Sequence, residues 1–198
     1  MTEELSRMAK SYVQVEGGLV GSGSIVLHQA RNSWVLTCEH VVRGEQVVTV
    51  AFLEEGRMRR INARIVAVDV DQDLALLRTV QRIPHREEIE LAPDEPGIYE
   101  RGYVMGSAAT LYGTAGEVVI TGLPGAALGP ALPFYQFTGL AVQGISGGLL
   151  CNYDGQLVGV PHQIEREEDR TLGNIGFAVP LPVIKTFLDT YLPGGVPA

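Results

Sequence analysis

The sequence predicts an all-β protein of two six-stranded antiparallel β-barrels, with a cleft between them and a C-terminal helix. Three observations predict it. Short β-rich runs recur along the chain, each bounded by turn residues. A stretch dense in proline and acid, PHREEIELAPDEPG, interrupts them midway. The 24 glycines and 11 prolines suit tight turns and barrel corners rather than long helices.

The first series of strands reads SYVQV, GSGSIVL, SWVLT, QVVTVAFL, INARIVAVD and LALLRTV. The second reads IYERGYVMG, GEVVITG, FYQFTGL, GGLLCNY, QLVGVP and IGFAV. A weaker helix is read over Met1 to Lys10, and a stronger one over Pro182 to Leu192. In the latter Ile184, Phe187, Leu188 and Tyr191 recur at three- and four-residue spacing, and Pro193-Gly194-Gly195 ends the pattern. The expected organisation is an N-terminal lobe over 1–85, a linker over 86–98, and a C-terminal lobe with the helix over 99–198. Residues Gly122 to Pro133, GLPGAALGPALP, read as a mobile loop. No internal repeat stands out.

At 198 residues, 45% apolar and 19% charged, the chain can bury a core without disulfides or metals. A net charge of -8 argues against nucleic acid and acidic membranes as partners. Arg57, Arg59 and Arg60 stand beside Glu54 and Glu55, as on a solvated hairpin face. Cys38 and Cys151 are read as free buried thiols, too few for a disulfide framework. The opening MTEELSRMAK lacks the apolar stretch of a secretion signal, and no run is long enough to span a bilayer. A soluble protein of a reducing, cytoplasmic compartment is expected. Its oligomeric state stays open, a homo-oligomer included.

The sharpest chemical signal is Gly144-Ile145-Ser146-Gly147-Gly148, a serine enclosed by glycines ahead of the apolar run LLC. It reads either as a hairpin turn or as a turn that aims the N–H groups of Gly144 and Ser146 at one point, where they could stabilise an oxyanion. A serine nucleophile needs a base, and the chain has four histidines. His28 and His85 lie in turn and linker contexts and read as solvated. His40 follows the apolar strand VLT and is either a core histidine or the base. A carboxylate must then fix the imidazole tautomer. Of Asp69, Asp71 and Asp73, the last immediately precedes LALL and is the one to be carried inward, while two of the three read as turn residues. No cofactor is expected. Nor is a zinc site from Cys38, Cys151 and the histidines, because no pair stands at ligand spacing.

The chain resembles a trypsin-like serine peptidase of the HtrA/Deg type, a chymotrypsin-like fold. GSGSIVL at Gly21 to Leu27 and VLTCEHVV at Val35 to Val42 resemble the glycine-rich strand and histidine motif. DVDQDLALLR at Asp69 to Arg78 resembles the aspartate motif, QGISGGLLCNYDGQLVGV at Gln143 to Val160 the serine motif, and NIGFAVP at Asn174 to Pro180 the closing strand. The order His40, Asp73, Ser146 is that of the chymotrypsin-type triad. The resemblance implies a peptidase domain without a PDZ module, with His40 as base, Asp73 as its orienter, Ser146 as nucleophile, and an oxyanion hole of Gly144 and Ser146. It also implies a specificity pocket based on Leu140 and lined by Gly176, Phe177 and Ala178. Small or medium apolar residues before the scissile bond then fit best. Val160 to Gln163 would form an edge strand beside the peptide, with His162 near the site in a structural or a catalytic role.

Departures from the family pattern are Leu149 after the two glycines, Cys38 and Glu39 before the histidine, and Ile145 where digestive relatives carry an aspartate. Ile145 excludes activation through an ion pair with a newly cut N-terminus. Two other readings of the same fold are a self-processing or single-partner maturation protease and a catalytically silent peptide-binding or chaperone-like protein.

Overall fold

The computed structural model describes residues 2–125, 133–162 and 174–195. Thr2 starts the first helix, α1 (Glu3–Ser11), by accepting the N–H of Leu5 at 3.4 Å. Glu3 and Glu4 stand in its first turn and Lys10 in its last, matching the helix dipole. Met8 and Ser11 are its buried residues.

The first barrel follows as β1 (Tyr12–Glu16), β2 (Val20–His28), β3 (Ser33–Thr37), the four-residue helix α2 (Glu39–Val42), β4 (Val47–Glu54), β5 (Arg57–Asp69) and β6 (Leu74–Thr79). Its strands close in the order β1-β2-β3-β6-β5-β4, every pair antiparallel. Pattern and position agree. β3, between β2 and β6, is buried throughout, whereas β5 alternates, turning Ile61 and Ala63 inward between exposed neighbours. The expected arginine-rich hairpin is the β4–β5 turn, where Arg59 pairs with Glu54 at 2.9 Å and Arg60 reaches Glu16 on β1 at 3.0 Å.

The second barrel comprises β7 (Arg101–Gly106), β8 (Thr114–Gly122), β9 (Tyr135–Gly139), β10 (Leu149–Asn152), β11 (Leu157–His162) and β12 (Ile175–Pro180). It closes as β10-β11-β12-β9-β8-β7, the cyclic order of the first barrel repeated strand for strand. All twelve expected runs contain a strand. The seventh starts later than its apolar run suggests, because Ile98 and Tyr99 are exposed and Tyr99 takes a φ of 65°.

The segment between barrels is tied down along its length. Ile89 N–H donates to Ile25 C=O at 2.7 Å, and Ala92 N–H to Leu157 C=O at 3.0 Å. His28, expected to be solvated, is half-buried here: its ring nitrogens lie 2.8 Å from Ser33 Oγ and 3.1 Å from Arg86 C=O. The burial pushes its pKa down.

The last helix, α3 (Leu181–Tyr191), buries Ile184, Phe187 and Leu188. Tyr191, the fourth member of the expected stripe, is 46% exposed and only leans on Phe187, with ring centroids 5.1 Å apart. Ile184, Phe187 and Leu188 join Leu149, Leu157, Val160 and Val179 in one apolar cluster that continues into the first barrel. Alternate residues of the same strands, Leu150, Val158 and Ala178, fill the second barrel's interior instead. Among the described residues no helix is long and apolar enough to cross a membrane. The expected mobile loop at Gly122 to Pro133 lies largely outside the described residues.

Candidate active site

Two short connections build one half of the site. Cys38 caps α2 at the end of the buried strand β3, which puts His40 on the rim of the first barrel. The β5–β6 turn brings Asp73 to the same rim: Asp69 Oδ1 accepts the N–H of Gln72 at 3.0 Å, and Asp73 takes a φ of 54°. Both Asp73 oxygens are then used. Oδ1 accepts the backbone N–H of His40 at 3.0 Å, and Oδ2 lies 2.7 Å from His40 Nδ1. Burial works to raise the Asp73 pKa, yet contacts from the His162 and His40 rings and the His40 N–H outweigh it and hold the carboxyl well below the usual range.

The other half is the β9–β10 connection carrying Ser146. Its backbone is held from several sides. Ser22 on β2 donates its N–H to Ser146 C=O at 2.8 Å and its hydroxyl to Gly144 C=O at 2.7 Å. Gly147 N–H donates to Pro161 C=O at 2.8 Å, and Gln143 C=O accepts from Ala109 N–H at 2.9 Å. Gly144 and Gly147 have φ of 96° and 82°, and a Cβ at Gly147 would stand 2.3 Å from Thr37 Oγ1 and 2.9 Å from Cys38 N. The serine turn therefore rests on the end of β3 and on Cys38, two residues before His40. Ile145 is buried in the second-barrel cluster, so the loop is seated by packing. Among the described residues Ser146 Oγ has no hydrogen-bond partner, and Ser146 is 5% exposed.

Ser22 has no part in the sequence-based assignment, nor has the buried polar group behind it. Ser22 Oγ also accepts the Ser107 N–H at 2.8 Å. Ser107 Oγ in turn takes a hydrogen bond from Gln14 Nε2 at 3.0 Å and pairs with the Tyr12 hydroxyl. The only hint in the sequence is the placing of serines inside the buried strand GSGS, where a hydroxyl needs a partner.

The residues expected around the substrate divide. Leu140 is half-buried and packs beneath Gly116, while Gly176, Phe177 and Ala178 are buried, with the Phe137 ring filling the space a Gly176 side chain would need. Val160 has its side chain fully buried in the interbarrel cluster, which leaves only its backbone to stand beside a peptide. His162 ends β11 with Nδ1 3.5 Å from Asp73 Oδ2, and Gln163 lies outside the described residues. His85 is exposed.

Cys38 and Cys151 are free and buried. Donor atoms of Cys38, His40 and Asp73 lie within 4.8 Å of one another, a proximity that arises only when folding brings the β5–β6 turn to the end of β3. Burial, then the neighbouring Asp73, pushes the Cys38 thiol well up, and its Sγ donates to Pro161 C=O at 3.3 Å. Protonated and so engaged, it is a poor metal ligand.

The model of the trypsin-like peptidase domain family matches residues 21–160, a range that holds His40, Asp73 and Ser146. The chain belongs to that family. The periplasmic pH-dependent serine endoprotease DegQ of Escherichia coli is 31% identical over 169 residues, covering 84% of this chain and 36% of that protein. A probable DegP-like periplasmic serine endoprotease of Marinomonas is 34% identical over 176 residues, covering 86% of this chain and 35% of its own length. This trypsin-like domain thus spans about a third of the curated relatives it matches. A serine endoprotease from Yersinia pestis superimposes with a TM-score of 0.74 at 26% identity, covering 93% of this chain and 63% of that one.

Proposed function

We propose that this trypsin-like domain is a serine endopeptidase in which Ser146 attacks, His40 is general base and acid, and Asp73 orients His40. The observation that carries the reading is the paired use of Asp73: one oxygen on the His40 backbone, the other on the His40 ring at 2.7 Å. That pairing favours the proton on Nδ1 and leaves Nε2 as the free lone pair, the tautomer a base requires. His40 Nε2 would take the Ser146 proton as Oγ adds to the peptide carbonyl, then deliver it to the departing amine. Water repeats the sequence on the acyl-enzyme. A resting Ser146 hydroxyl without its partner is compatible with this, since such contacts commonly tighten only with substrate bound.

The oxyanion site is supported by peptide geometry. Neither Gly144 N–H nor Ser146 N–H is spent on a described backbone carbonyl. The Gln143–Gly144 peptide is trans, so Gly144 N–H points opposite to Gln143 C=O, which Ala109 holds on the far side. A Cβ on Gly144 would stand 2.1 Å from Ser107 C=O, so Gly144→Ala has to rotate this peptide. It is expected to lower kcat by roughly 100- to 1,000-fold, the cost of one oxyanion donor, in steady-state peptide hydrolysis.

The substrate is proposed to be polypeptide, cut after small or medium apolar residues, because half-buried Leu140 offers no charge to a basic side chain. A fluorophosphonate should add one phosphonyl group, mapped by mass spectrometry to Ser146, and a peptide library should report the apolar preference. Failure to label, or labelling undiminished in His40→Ala, overturns the endopeptidase reading and leaves a silent peptide binder. New termini arising only when Ser146 is present, with the library untouched, would mark self-processing. A cytoplasmic site is proposed only on the two unpaired thiols, against relatives named as periplasmic, and cell fractionation tests it.

A further inference from the structure

Asp73 faces two imidazoles, not one. His40 Nδ1 lies 2.7 Å from Oδ2, and His162 Nδ1 approaches the same oxygen to 3.5 Å from the opposite barrel. The His162 side chain is 5% exposed, and its Nε2 is enclosed with no partner among the described residues. One ring face lies against Phe134, centroids 4.0 Å apart. These surroundings select a tautomer. A bare lone pair on Nδ1 would repel the carboxylate, and an N–H on Nε2 would be buried without an acceptor. A neutral ring with its proton on Nδ1 avoids both, and a small rotation of that ring would shorten the 3.5 Å contact.

The preceding residue links this ring to the nucleophile. Pro161 C=O accepts from Gly147 N–H at 2.8 Å and from Cys38 Sγ at 3.3 Å. The end of β11 is thereby bound to the serine turn on one side and to the start of α2 on the other. Moving His162 away from Asp73 would disturb both.

We infer that His162 is a second positioning residue, whose Nδ1–H shares Asp73 Oδ2 with His40, holds the carboxylate in line and tempers the basicity it confers on His40. This deepens the endopeptidase reading and rests on it. A ring that merely fills space would need no nitrogen toward the carboxylate. Its neighbours leave Asp73 as the group it can act on: Cys38 is turned to Pro161, Glu39 is taken up by Arg43 at 2.8 and 3.0 Å, and Asp69 by the Gln72 N–H. Asp71 is exposed, and Phe134 and the β12 partner Phe177 carry no charge.

The test compares wild type, His162→Ala and His162→Asn, whose amide N–H can stand where Nδ1–H stands. In His162→Ala the carboxylate loses a competing donor and binds the His40 imidazolium more strongly. The acid limb of kcat/KM should therefore move up by about half a pH unit, with kcat about tenfold lower and KM little changed. His162→Asn should restore both. The same shift is read without activity by following the His40 ring through a pH titration by nitrogen-15 NMR in Ser146→Ala, with and without the His162 changes. An unmoved His40 titration in His162→Ala, or His162→Asn behaving like His162→Ala, overturns the inference. Should His162→Ala not fold, the wild-type spectrum decides, and a His162 proton found on Nε2 overturns it. Loss of fluorophosphonate labelling in wild type would instead fault the endopeptidase reading, which the NMR titration does not depend on.

Discussion

Ser146→Ala is expected to lower kcat for peptide hydrolysis by roughly 100,000-fold or more while shifting Tm by no more than about 2 °C. The two outcomes separate because the serine turn is anchored by backbone, not by its hydroxyl. Ser146 C=O takes the Ser22 N–H, Gly147 N–H goes to Pro161, and Gly148 N–H closes on Ile145 C=O at 2.9 Å. Alanine keeps all three. The hydroxyl has no hydrogen-bond partner among the described residues, so its removal strands no buried donor or acceptor. Residual turnover should reflect only binding and the oxyanion donors. Steady-state kinetics beside a thermal melt checks both halves, and a variant retaining more than about one-hundredth of the wild-type rate would remove Ser146 from the chemistry.

Such contacts also explain what the sequence could and could not disclose. Alternation along β5 and the continuous apolar runs of β3 and β6 are local signals, and each marks its strand without knowledge of its partner. Asp73 could be chosen over Asp69 because of the apolar residues immediately after it. Ser22 could not be found in this way: its carbonyl partners, Gly144 and Ser146, lie more than a hundred residues along the chain. The burial of the Val160 side chain shows a related limit. In a strand shared by a barrel interior and an interbarrel contact both faces are buried, so alternation no longer tells cleft from core.

The two barrels share one cyclic strand order, yet no internal repeat is visible in the sequence. Barrel closure asks only for antiparallel neighbours and inward apolar positions, which many sequences satisfy. The candidate site instead falls where the barrels differ. The first supplies an imidazole and a carboxylate from its β3–β4 and β5–β6 connections, and the second a glycine-bound serine ahead of β10. Between them the Tyr12, Gln14, Ser22 and Ser107 network ties β1 and β2 to the connection after β7. Satisfied polar contacts of this kind specify one relative placement of the rims more sharply than apolar packing does.

Asp73→Asn is expected to produce the second large loss, a fall in kcat of roughly 10,000-fold. Asparagine carries one acceptor where Asp73 uses two. If its oxygen keeps the His40 backbone N–H, its amide donates toward His40 Nδ1 and drives the imidazole proton to Nε2, which disarms the base. If it flips, the backbone bond is lost and two N–H groups face each other. The same substitution reports on acid stability. The Asp73 carboxyl titrates below its unfolded value, so its contribution is complete above the usual carboxylate range and drains away as the pH falls through the lower, folded value. Wild type should therefore melt about 5 °C above Asp73→Asn near neutrality, and the gap should close progressively below about pH 4. Thermal melts across that range, alongside kcat at neutral pH, test both consequences. A gap that persists unchanged into acid would mean that the charge on Asp73 does not contribute to holding α2 and the β5–β6 turn together.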